Sequence, residues 1–166
     1  MAVKSLEALL TYKNDYLVKR FRVVQPHLNL SEEEGQQIFE DTLRFLWLTA
    51  VIDDLRKENP DATDIRISNS MIVIDQCWHE FILMTEMYSN FCQEYLGKYI
   101  HHPPPMKKYA RNVKEHGQEE SMMIFLNEII HMVVHYLGEE VAIRWFDEYL
   151  KYETIHPAKD MISHHH

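Results

Sequence analysis

The run NLSEEEGQQIFEDTLRFLWLTAVIDDL, from Asn29 to Leu55, leaves this chain few folds to choose from. Ser31 and Glu34 form a capping-box pair, and the three glutamates that follow Ser31 sit in a first turn where the helix dipole favours negative charge. Ile38, Leu43, Phe45, Leu46, Leu48 and Ile52 supply a core stripe for one long helix. A second segment, from Met71 to Gly97, has helical spacing too. It places Ile74, Trp78, Phe81, Thr85, Tyr88 and Cys92 on one face, with Asp75, His79, Ile82 and Glu86 on its flank. A third, SMMIFLNEIIHMVVHYLG, is apolar over most of its circumference and is expected to be the most buried helix, ending at Gly138. With four glycines and six prolines in 166 residues, long elements are favoured over many turns. The expectation is an all-α, single-domain bundle of about five or six helices, with residues 32–55, 71–97 and 119–137 at its core. The domain spans residues 1–163, and His164, His165 and His166 read as the remnant of a purification tag.

The connecting segments fit that plan. SLEALLTY and DYLVKRFRVV read as short amphipathic helices that stop near Pro26, because the residue before proline avoids helical geometry. Arg56 to Ser70 is a polar loop in which Ile65 and Ile67 hint at a brief extended turn. Pro103, Pro104 and Pro105 enforce another extended turn, and MKKYARNVKEHG is expected to form a short basic helix ending at Gly117. EEVAIRWFDEYLKY is the last helix.

The formal charge of −9 argues against duplex nucleic acid and anionic membrane as partners of the whole surface, while a protein partner or self-association stays open. On one straight helix, the α-carbons of Cys77 and Cys92 would lie about 22 Å apart, so they read as free thiols in a reducing compartment. The N-terminus lacks the apolar core of a signal peptide, and FLWLTAVI is too short to span a bilayer. These features point to a soluble, cytoplasmic protein.

Histidines carry the candidate chemistry. His131 and His135 stand four residues apart on one helical face, with Glu128 one turn earlier. If this helix pairs antiparallel with the 71–97 helix, His79 becomes a third ligand for a divalent metal such as zinc or iron, and Asp75 and Glu128 orient the imidazoles without touching the ion. The alternative is structural: Asn127, Glu128, His131 and His135 form the narrow polar stripe of a mostly buried helix, and His79 hydrogen-bonds Asp75. His101 and His102 would lie about 30 Å from His79 on a straight helix; they read as caps of the helix end or as contacts to the neighbouring segment, and a ligand role stays open. Cys92 falls on the packed face, where thiols are usually inert. Lys107, Lys108, Arg111 and Lys114 share part of one face, which reads as a solvated surface or a dock for an acidic partner or a phosphate. No zincin helix, phosphate loop, nucleophile elbow or paired-cysteine motif is present.

The pattern Asp75, Trp78-His79, Phe81-Ile82-Leu83, Thr85, Tyr88, Phe91-Cys92, Gly97 and His101-His102-Pro103 resembles the bacterial branch of the glycine-rich domain-containing protein-like family. YLGEEVAIRW, from Tyr136 to Trp145, looks like that family's closing segment. The resemblance implies an all-helical fold, marks Asp75, Trp78, His79, Tyr88, Cys92, His101 and His102, and supplies no reaction. Two functions follow as expectations: a small non-catalytic binding or interaction module, and a metal-binding protein or metal-dependent enzyme with a histidine site between two core helices.

Overall fold

A computed structural model describes residues 2–65, 67–102 and 117–154. Every regular element among them is helical. Helices α1 (Leu6–Leu9) and α2 (Asp15–Val24) lead into α3 (Glu32–Glu58), followed by α4 (Ile72–Leu83) and α5 (Thr85–Phe91). Beyond the undescribed residues 103–116 come α6 (Gln118–Leu137), α7 (Glu139–Ile143) and α8 (Leu150–Thr154). The proline turn from Pro103, the basic helix with Lys107, Lys108, Arg111 and Lys114, and the histidine tail all lie outside the described residues.

The helix starts follow from local chemistry. Asn14 accepts the Leu17 amide at 3.0 Å to open α2, and the Ser31–Glu34 capping box is complete in both directions at the head of α3. Helix α3 is the axis of the molecule. It packs against α1, α2 and α4, and it buries Phe39, Leu43, Phe45, Leu46 and Leu48 almost completely. Each large apolar side chain so removed from water contributes about 1.5–3 kcal/mol.

The expected continuous helix from Met71 to Gly97 is broken at Met84, whose ψ of 66° lies outside the helical range. The cause is tertiary. Trp78 and Tyr88 are ten residues apart, which is about 15 Å along a straight helix, yet the Trp78 indole donates to the Tyr88 hydroxyl at 3.0 Å. Both rings are buried, and only a chain that bends between them can bury both and pair their polar atoms. Thr85, expected on the packed face, is therefore exposed. After α5 a π-helical turn, Cys92–Leu96, ends at Gly97 with φ 72°, and the chain doubles back through Ile100.

Helix α6 also departs from expectation, since it is not the most buried element. It buries one narrow stripe, Ser121, Phe125, Ile129 and Val133, and leaves Met123 and Val134 exposed. An apolar composition does not by itself supply neighbours on every side. The last expected helix is interrupted by a π-helical turn, Arg144–Glu148, which turns Trp145 and Tyr149 inward together with Tyr152 of α8.

Candidate metal centre

The bend at Met84 and the reversal at Gly97 bring residues from both ends of the α4–α5 region to one place. Asp75 and His79 lie one turn apart on the solvent flank of α4, as their four-residue spacing requires. His102 arrives on the returning arm. Its Nε2 lies 2.7 Å from Asp75 Oδ1, while His79 Nε2 lies 3.6 Å from Asp75 Oδ2. The two imidazole rings are 4.6 Å apart. Each oxygen of one carboxylate thus faces a different imidazole.

The ligand atoms of Asp75, His79 and His102 all lie within 4.8 Å of one another, and no other set of three His, Cys, Asp or Glu side chains among the described residues does this. Bonds of about 2.0–2.2 Å to a tetrahedral ion would place such atoms roughly 3.3–3.6 Å apart. The His79–Asp75 distance of 3.6 Å already meets that spacing, and the 2.7 Å Asp75–His102 pair would have to open to reach it. Exposure is graded across the trio: the Asp75 side chain is 21% exposed, His102 39% and His79 53%. Solvent therefore reaches the histidine side of the cluster.

A hydrogen-bonded relay stands behind His102. The Trp78 indole can only donate, so the Tyr88 oxygen accepts from it, and the Tyr88 proton goes to the Ile100 carbonyl at 2.5 Å. Burial pushes the Tyr88 hydroxyl well above the ordinary phenol range, so it stays protonated and able to donate. The face of Trp78 also meets the His102 ring, with centroids 4.7 Å apart. Cys92 belongs to the same wall. Burial raises its thiol, as it raises that of Cys77, pushed up to about 12, so neither is an activated nucleophile.

The structure does not bring the other predicted ligands here. His131 and His135 are exposed on α6, and His135 packs edge-on against Tyr136. Glu128 accepts from Thr63 at 2.8 Å. His101 is exposed, with its ring 4.6 Å from that of Tyr99. The separation of about 30 Å expected between His79 and His102 is overturned by the bend and the reversal. Asp75, read as a supporting residue, sits at the centre of the cluster.

Sequence reasoning missed a second polar constellation altogether. Asp41, fully buried in α3, accepts from Arg44 at 2.8 Å, from Arg144 at 2.6 and 2.8 Å, and from the Tyr149 hydroxyl. The paired carboxylate raises the Arg144 guanidinium further, and burial raises the Tyr149 hydroxyl. The available signal was an aspartate amid the apolar stripe of α3, where an unpaired charge would be very costly.

The chain matches the family model described as UCP032817-like over residues 6–124, more than two thirds of its length. It belongs to that family. The UCP032817-like family is uncharacterised, and this assignment overturns the resemblance to the glycine-rich domain-containing protein-like family. The thirty-residue pattern behind that resemblance describes a local structure, a bent helix with Trp78, Phe81 and Tyr88 inside and His79 outside. The UCP032817-like match contains Asp75, His79 and His102 and ends before His131. No curated protein and no solved structure matches the chain significantly. No helix among the described residues is long and apolar enough to cross a membrane.

Proposed function

We propose that this protein is a small helical metal-binding module that holds one divalent transition-metal ion through Asp75, His79 and His102. The observation that carries this reading is the convergence of two imidazole nitrogens on the two oxygens of one carboxylate. Imidazole nitrogen with carboxylate oxygen suits zinc, or ferrous iron held by two histidines and one carboxylate. Asp75 lies between the two imidazoles. His79 shares its helix, and His102 is held against Trp78.

A second reading, metal-dependent chemistry, is favoured by one feature. Three protein ligands with an exposed histidine side leave coordination positions for water, as in catalytic rather than closed structural sites. The binding reading comes first because it asks of the trio only that its three ligand atoms converge.

Elemental analysis of protein purified without chelator tests the proposal, using chain in which His164, His165 and His166 are replaced by alanine. Close to one equivalent of zinc or iron is expected, falling below about a tenth in the His79→Ala, His102→Ala double variant. Equal metal content in both proteins would contradict it.

A further inference from the structure

We infer that Tyr88 is a positioning residue for the metal centre, holding the arm that carries His102 in place through the Ile100 carbonyl. The inference rests on the metal-binding reading and adds to it the means by which the third ligand is held.

The argument is geometric. His102 is the one ligand that does not lie on α4, so its position depends on what anchors residues 98–102. Ile100 anchors that arm twice: its side chain is buried, and its carbonyl accepts the Tyr88 proton. The direction of the relay is fixed by valence. An indole N–H cannot accept and a carbonyl cannot donate, so the single Tyr88 proton must point at Ile100. Trp78 then holds both ends, donating to Tyr88 at one edge and presenting its face to the His102 ring at 4.7 Å. Removing the Tyr88 hydroxyl leaves the Ile100 carbonyl and the Trp78 indole without this partner, two residues from the ligand. Groups that orient a metal ligand without touching the ion commonly account for ten- to a hundredfold in affinity.

The relay acts through His102 alone, and a double-mutant cycle isolates that property. Cobalt(II), followed by its visible absorption, serves as the probe ion. Its dissociation constant is measured for wild type, Tyr88→Phe, His102→Ala and the double variant, all with His164–His166 replaced by alanine. Tyr88→Phe should weaken cobalt binding about tenfold or more with His102 present and change it less than twofold with His102 absent. A loss of equal size in both backgrounds would show general loosening and overturn the inference, as would no loss in either. Failure of wild type to bind cobalt would instead overturn the metal reading beneath it. Should Tyr88→Phe not fold, Trp78→Phe cuts the same relay one step earlier while keeping an aromatic face, and its loss must show the same dependence on His102.

Discussion

Two aspartates in this molecule gather partners in opposite ways. Asp41 is buried in the middle of α3, and its oxygens are taken by arginine and tyrosine donors from α3 and the C-terminal segment. Asp75 is on the flank of α4 and partly exposed, with histidines on both oxygens. Guanidinium groups cannot lose their protons in this range and do not ligate metals, so the Asp41 node can only hold elements together. Imidazoles are common metal ligands, which is why the Asp75 node is the one we propose to hold an ion. The same carboxylate group thus serves architecture in one setting and suits binding in the other, and its donors and exposure decide which.

The contrast should be sharpest in stability. Replacing Asp41 with alanine leaves the Arg144 charge and the Tyr149 hydroxyl without their acceptor, and is expected to cost about 3–5 kcal/mol in denaturant titration. A cost below about 1 kcal/mol would reduce the node to an incidental contact. Next comes Tyr88→Phe, where two lost hydrogen bonds within the core should cost about 1–3 kcal/mol. Asp75→Asn comes third. The site is partly exposed, so unfolding free energy should move by less than about 1 kcal/mol, whereas metal content should fall at least tenfold. A large stability loss at Asp75 without loss of metal would make the two aspartates alike.

The smallest effect concerns the cysteines. A thiol raised by burial stays protonated until the pH approaches the raised value, which for Cys77 is about 12. At pH 8 its thiolate fraction is therefore of order one in ten thousand. Neither Cys77 nor Cys92 should react with iodoacetamide at pH 8 in the native state, and both should react after denaturation. Rapid native labelling of either thiol would show that its segment opens.

Much of the framework was legible because it rests on local rules. The capping box at Ser31, the stripe from Ile38 to Ile52 and the stop at Gly97 follow from propensity and spacing, and α3 appears as read. The trio was only half legible. Asp75 and His79 are one helical turn apart, a relation that spacing encodes. His102 joins them because Trp78 and Tyr88 bend the chain at Met84, and a bend driven by two buried rings leaves no periodic trace. His131 and His135 show the complementary limit: their spacing suits ligands, but spacing says nothing of which neighbour a helix face meets, and among the described residues they join no such trio. The Asp41 node required knowing that Arg144 and Tyr149, over a hundred residues away, turn inward on a π-helical turn.

The most direct test of the central claim is a calorimetric zinc titration of full-length protein with His164–His166 replaced by alanine. It is compared with the His79→Ala, His102→Ala pair and the His131→Ala, His135→Ala pair in the same background. One site per chain is expected in wild type, retained with unchanged affinity when His131 and His135 are removed and lost when His79 and His102 are removed. Binding that survives the loss of His79 and His102, or that disappears with His131 and His135, would contradict the account.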